Sequence, residues 1–270
     1  MKLLQRVCLI DGGMKRCALF CAQLALGVFL AGCDRLNSRS IERVEWPSMG
    51  TVAAIQFDGE KDAEIVETVK GVFSRVEKLL NAHDPDSEIR RLARLSDDEV
   101  VEKADPLVRK CYEEAFRMRI ITDGAFNPRW RGTNTLDLGA IAKGYAIDLA
   151  VEAIGASVTQ RILIDLGGNL RAVGGDWRIG IAYSQDSFVL SNSAAVATSA
   201  RYFRGGHIKD ARTGEEMKPS FKSVSVIHPS SAMMADALST VLFILGDEEG
   251  RRFLRSHASR AQAIFSFPTN

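Results

Sequence analysis

The sequence predicts an α+β fold, and three observations carry that expectation. Strand-like and helix-like segments are mixed along the chain without regular strand–helix alternation, which argues against a doubly wound parallel sheet. The clearest helix, Asp62 to Asn81, places Ile65, Val69, Val72, Phe73, Val76, Leu79 and Leu80 on one face at helical spacing. The run RILIDLGGNLRAVGG reads as a buried strand that breaks at Gly167 and Gly168.

The elements follow in order. Thr51 to Phe57 reads as a strand, with Met49 and Gly50 just before it. After the long helix, Pro85 builds a turn, and Ser87 and Glu88 start a short helix. Asp105 and Pro106 open a helix through Ile121, with proline at a favourable first-turn position. Thr122 to Pro128 is rich in turn residues. A further helix is expected from about Ile141 to Ile154. WRIGIAY, AAVATSA and SVSVIHP read as strands, and residues 232–245 as an apolar helix stopped by Gly246.

The N-terminus has a different character. Met14-Lys15-Arg16 precedes a short apolar run ending in Leu30-Ala31-Gly32-Cys33. A basic start, an apolar stretch too short for a comfortable membrane span, and small residues before a cysteine make a secretory signal of the bacterial lipoprotein kind. The expected organisation is a signal peptide over 1–32, a lipidated Cys33 and polar tether over 33–45, and one domain over 46–270. The basic residues at 14–16 make a better start than residues 1–13 supply, which reads those residues as upstream of a true start at Met14. Of the five cysteines only Cys111 then remains free of signal and lipid, so no disulfide framework is expected in an exported, oxidising setting. The expected location is the periplasmic or outer side of the inner membrane, anchored by lipid. With 35 basic and 34 acidic residues, the chain gives no reason to expect nucleic acid as a partner.

Several positions could carry chemistry. In LDLGAIAKGYAID, residues 136–148, Gly139 and Gly144 flank Lys143 where a helix starts. This is either a turn with a solvated lysine or a place where backbone and cation approach an anion. It is not a Walker A loop, since Lys143 precedes Gly144 and Tyr145 follows. Asp137 either accepts from a ribose or adenine group or caps the turn. Asp236 and Thr240 lie one helical turn apart and offer hard oxygen ligands suited to Mg²⁺; the alternative is an aspartate favoured by the helix N-terminus. Gly167-Gly168-Asn169 is either a bulge or a ligand-facing turn. His207, in a glycine-flanked loop, is either a general base or a surface residue.

Taken in order, Met49-Gly50-Thr51, Asp86-Ser87-Glu88-Ile89, Gly124-Ala125-Phe126-Asn127-Pro128, LDLGAIAKGYAID, LGGN, Ala197-Thr198-Ser199, the loop from His207 to Gly214, and Ala235 to Thr240 resemble the ApbE family, the FAD:protein FMN transferases. The resemblance covers residues 46 to 250. It implies an ApbE-like, T-fold-related single catalytic domain that binds FAD and Mg²⁺. The family moves FMN from FAD onto a threonine hydroxyl of a target protein, typically a membrane redox-pump subunit, and releases AMP. Carried over motif by motif, Asp236, Thr240, Ser239 and the Ala140 carbonyl would hold Mg²⁺. Met49, His83, Ala125, Phe126, Asn127, Asp137, Lys143 and Ile208 would contact FAD, and His207 would deprotonate the acceptor threonine. Two other readings stay open: hydrolysis of FAD to FMN and AMP, and a flavin-binding lipoprotein without catalysis. The chain departs from the family pattern at His83, where tyrosine is common, at Asn127 for aspartate and at Ala211 for proline. Only seven residues, Arg129 to Thr135, stand where the family often has dozens.

Overall fold

The computed structural model describes residues 40–156, 158–180, 187–200 and 208–268. Nine strands and six helices lie within them. Strands β1 (Ile41–Ser48), β2 (Thr51–Asp58), β3 (Ile162–Leu166), β4 (Asn169–Val173), β7 (Ala195–Ala200), β8 (Ser223–His228) and β9 (Gln262–Ser266) form one sheet in the order β1-β2-β3-β4-β7-β8-β9. Every pairing in it is antiparallel. Strands β5 (Trp177–Gly180) and β6 (Ser187–Leu190) form a separate hairpin.

The helices are α1 (Ala63–Leu80), α2 (Glu88–Leu92), α3 (Asp97–Lys103), α4 (Pro106–Ile121), α5 (Ala142–Ile154) and α6 (Ala232–His257). Alternation along β3 sorts its side chains between two cores. Ile162, Ile164 and Leu166 join the large core shared with the helices, while Leu163 joins a small one with Leu170, Trp177, Leu190 and Val196. The sheet therefore has helices on one face and the β5–β6 hairpin on the other. Such segregation of helices to one side is what an α+β chain without strand–helix alternation forms.

Local signals explain the helix starts. Asp62 accepts from the Glu64 and Ile65 N–H groups, and Val66, Val69, Phe73, Val76 and Leu80 form the buried stripe of α1. Ser87 caps α2. Asp105 accepts from Leu107 N–H, with Pro106 in the first turn of α4. Ser96 and Glu99 form a reciprocal capping box on α3, a helix not anticipated from the sequence.

One expectation is corrected. The tether assigned through residue 45 instead enters the sheet: β1 begins at Ile41 and pairs along its whole length with β2. Its charged, proline-containing sequence suits an edge strand, where one row of backbone groups needs no sheet partner. Gly246 does end the apolar helical segment that starts at Ala232: its φ of 83° and ψ of 179° are non-helical, and a second helical segment, counted here with α6, continues beyond it to His257. The other elements lie close to where the sequence puts them, although WRIGIAY continues past Gly180 into residues outside those described. The signal segment and Cys33 also lie outside. Among the described residues no helix is long and apolar enough to cross a membrane.

Candidate functional site

The antiparallel register brings two turns side by side at one end of the sheet. Ser48 pairs with Thr51, so Met49 and Gly50 are the two loop residues of the β1–β2 hairpin. Both have positive φ, 47° and 69°, the geometry that matches the twist of the flanking strands. Methionine is an unusual residue there, since asparagine or glycine adopts that backbone at lower cost. The adjacent β3–β4 turn is Gly167-Gly168. Gly167 donates its N–H to the Val52 carbonyl at 3.0 Å, and a Cβ on Gly167 would stand 2.8 Å from the Thr51 side chain. Asp165 braces this turn by accepting the Gly168 N–H at 2.9 Å. Burial pushes the Asp165 carboxyl up to about 6, opposed by that N–H and by Arg43.

Beneath the turns, α5 crosses the start of α6. A Cβ on Gly144 would lie 2.1 Å from the Ala232 carbonyl oxygen and 2.8 Å from the Asp236 Cβ. The glycine is thus required by the approach of two helices. That approach carries the Gly144 N–H to the Asp236 carboxylate at 3.0 Å and leaves Lys143 Nζ 3.6 Å from the same oxygen, Oδ2. Asp236 is buried, and burial raises its carboxyl, with Lys143, the Gly144 N–H and Asn169 acting against the rise. The buried Asn169 amide nitrogen is near enough to this carboxylate to favour its ionised form, but without the geometry of a full hydrogen bond. Ser239 donates to the Asp236 carbonyl at 2.9 Å and shares a 2.9 Å hydrogen bond with Ser199 of β7. Thr240, half-buried, follows on the same helix.

Asp148, at the end of the LDLGAIAKGYAID stretch, fixes this crossing. Its carboxylate accepts from the Ala232 and Met233 N–H groups at 2.7 and 3.1 Å and from the Ser231 hydroxyl at 2.7 Å. It also pairs with Arg171 of β4. One carboxylate therefore satisfies the first donors of α6 from a neighbouring helix.

The segment between α4 and α5 forms the other wall. Arg129 reaches the Ala93, Leu95, Thr133 and Thr135 carbonyls and the Asp97 carboxylate. Five partners close the short 129–135 segment into a fixed loop. Next to it, Trp130 donates its indole N–H to Asp137 Oδ2 at 3.3 Å. Asp137 Oδ1 accepts the Gly139 N–H at 2.9 Å, and Arg131 stands 3.5 Å from Oδ2. Lys143 donates to the Gly139 carbonyl at 3.2 Å. Contacts thus run without a break from Trp130 through Asp137, Gly139 and Lys143 to Asp236. The loop after residue 207 joins through Ala211, whose N–H meets the Ala125 carbonyl at 3.2 Å.

Four sequence-selected positions are joined here: Lys143 faces the Asp236 carboxylate, Ser239 donates to the Asp236 carbonyl, and Asp137 connects to Lys143 through Gly139. Asp137 does cap its turn, as one of its two readings holds. The side chains of Ala125, Phe126 and Ile208 lie in the main core, so these residues would meet a ligand through backbone or edges. Asn127 spends its side-chain oxygen on the Arg129 N–H at 2.9 Å. Ala140 is half-buried against the same core. His83 is exposed after α1, with its N–H held by Asn81, and among the described residues no contact of its side chain with the other selected positions is seen. His207 lies outside the described residues. Sequence reasoning missed Asp148, Arg171, Trp130 and the placement of Ser199. Asp148 had a signal, as the last residue of a motif whose other members all point to one place.

Comparison with known proteins follows the same lines. The model of the ApbE family matches residues 49–134 and 130–265. The FAD:protein FMN transferase of Treponema pallidum (strain Nichols) is 36% identical over 160 residues, 49% of this chain and 44% of that protein. The chain thus spans somewhat under half the length of that curated relative. The Vibrio cholerae FAD:protein FMN transferase is 25% identical over 296 residues, 84% of this chain and 87% of that protein. Among solved structures, the apo flavinyl transferase ApbE of Pseudomonas stutzeri superposes with a TM-score of 0.69 at 22% identity, covering 86% of this chain and 92% of its own. An ApbE protein of Thermotoga maritima gives 0.70 at 22% identity, with 84% and 94% covered. These likenesses establish the fold.

Proposed function

The chain belongs to the ApbE family, and on that premise we propose that it transfers FMN from FAD to a threonine hydroxyl of a target protein and releases AMP. The observation that carries this reading is the meeting of Lys143, the Gly144 N–H and the buried Asp236 at the α5–α6 crossing. Its relatives' names supply the flavin; the site's chemistry supplies the fit. Phosphoryl transfer asks for positive charge around the phosphates and a positioned nucleophile, with little covalent work by the protein.

Magnesium fits the donor set. Asp236 is a buried carboxylate with one cation near it, Lys143 at 3.6 Å, beyond hydrogen-bond distance. Among the described residues no group of three or more His, Cys, Asp or Glu side chains gathers. Magnesium accepts such a sparse set, because it binds through one or two carboxylates together with substrate phosphates and water. Asp236, Thr240, Ser239 and the Ala140 carbonyl would hold it. When bound, it neutralises charge developing on the phosphate oxygens.

The protein's own groups do the rest. Lys143, tied to the Gly139 carbonyl and directed at Asp236, presents charge to the diphosphate. Met49, Asp137, Ile208 and the Ala125-Phe126-Asn127 turn border the flavin and adenosine ends, and His83, exposed after α1, would have to reach them from outside this cluster. His207 is assigned the base that takes the acceptor hydroxyl proton. The threonine oxygen then bonds to the FMN-side phosphorus, the phosphoanhydride bond breaks, and AMP leaves with its oxygen. The signal segment and Cys33 support an exported, lipid-anchored enzyme that acts on a membrane-associated redox protein.

The test uses the full chain in detergent with FAD, Mg²⁺ and a threonine-containing acceptor domain. AMP release together with an acceptor heavier by one flavin phosphate supports the transferase. AMP with an unmodified acceptor favours hydrolysis, and bound, unchanged FAD favours a carrier.

A further inference from the structure

The short segment after Pro128 builds something of its own. The Arg131 guanidinium lies 4.4 Å from the centroid of the Trp130 ring, and Lys209 Nζ lies 5.9 Å from the same centroid. The two cations come from segments far apart in sequence and converge on one indole. Arg131 is partly neutralised by Asp137 at 3.5 Å. Lys209 has no carboxylate at ion-pair distance among the described residues, since its neighbour Asp210 is taken by Arg212 at 2.6 Å. Following the contacts, Arg131 faces Asp137 and Lys143 faces Asp236, while Lys209, opposite Glu216 in a β-bridge, adds a third cation beside the ring. Like charges gathered around one aromatic ring are favoured when an anion joins them.

We propose that Trp130, Arg131 and Lys209 form a phosphate ledge that receives the diphosphate of the dinucleotide and retains the phosphate of the departing AMP. The inference rests on the FAD reading and adds residues that the family pattern does not assign. Its geometry is prepared in advance. Arg129 holds the 129–135 loop through five partners, and the Trp130 N–H is fixed on Asp137. A ligand therefore spends little free energy ordering the ledge. The bidentate fork of Arg131 suits a phosphate, and Lys209 adds a point charge. A rigid ledge of this kind does the covering work that a longer loop would otherwise supply.

The experiment titrates the full chain in detergent with FAD, riboflavin and AMP. Arg131→Gln and Lys209→Gln should each weaken FAD and AMP roughly tenfold, the loss of one charge-assisted contact, and leave riboflavin, which has no phosphate, unchanged. Trp130→Phe keeps a ring for the cations and should retain most of the affinity; Trp130→Ala should lose it. Unchanged FAD affinity in the double Arg131→Gln, Lys209→Gln variant overturns the ledge. So does an equal loss for riboflavin, which would mean a structural role. If the wild type binds no FAD at all, the FAD reading fails separately. The ledge is then judged on inorganic pyrophosphate alone: binding lost in the double variant upholds it, and no binding to the wild type overturns it.

Discussion

Lys143 Nζ stands 3.6 Å from Asp236 Oδ2, and the Gly144 N–H closes on the same oxygen at 3.0 Å. Two residues adjacent on α5 thus address one buried carboxylate on α6. Asp236→Asn preserves shape while removing the charge that a divalent cation needs. It should cut Mg²⁺-dependent AMP release by at least about a hundredfold, the order of one lost electrostatic contact to the transition state, with little change in melting temperature. Steady-state assays across a Mg²⁺ series check it, and turnover that stays Mg²⁺-dependent at the wild-type rate removes Asp236 from the metal site.

The two glycines of the LDLGAIAKGYAID stretch should behave differently. A Cβ at Gly144 meets the Ala232 carbonyl oxygen at 2.1 Å, an immovable backbone atom, whereas one at Gly139 meets only the Asp137 Oδ1 at 3.0 Å. Gly144→Ala should cost about 3 kcal/mol or more by forcing the helices apart and should abolish turnover through Asp236. Gly139→Ala should cost under about 1 kcal/mol. Denaturant melts of both variants decide this. Equal effects would mean that α5 and α6 do not cross as closely as Gly144 requires.

This pair also shows what the sequence could and could not convey. The stretch was legible as important because two glycines and a lysine sit where a helix begins. Its reason was not, because the contact that Gly144 makes is with Ala232, on a helix remote along the chain. Asp236 was legible as a carboxylate out of place in an apolar helix. Arg129 and Trp130 were not, since their partners lie in three other segments and no periodicity marks them. The first part of β1 was hidden by its edge position: the charged residues from Ile41 to Glu45 read as tether because only one side of the strand is paired. The capping box of Ser96 and Glu99 was in plain view, and α3 could have been found from it.

Asp165 offers a pH-dependent test of the turn beside Met49. Its carboxyl is raised from 3.8 to about 6 by burial. The native state therefore binds this proton more tightly than the unfolded chain does, so the group's contribution falls as pH rises from about 4 to about 6. Above that window its ionised form costs roughly 3 kcal/mol. Asp165→Asn keeps an oxygen for the Gly168 N–H and removes the buried charge. The variant should be more stable than wild type at pH 7 to 8, and its advantage should vanish below about pH 4. Urea melts at the two pH values measure it, and an advantage that persists at low pH would assign the effect to packing.

Asp148 should matter to the fold more than to the chemistry. Its carboxylate caps the start of α6 through Ala232, Met233 and Ser231 while pairing with Arg171. Asp148→Ala removes the cap, worth about 0.5–2 kcal/mol, and leaves the Arg171 guanidinium, largely shielded, without its carboxylate, which adds a penalty of similar size or larger. A loss of about 3 kcal/mol or more is expected, read as a lower urea midpoint. Asp148→Asn keeps an acceptor for the helix donors and loses the charge facing Arg171, so it should fall between wild type and alanine. Because Asp148 holds Ser231, Ala232 and Met233 whereas Lys143 addresses Asp236, both variants should keep the wild-type KM for FAD in whatever fraction remains folded. A KM that rises in step with the loss of stability would instead place Asp148 in the binding wall itself.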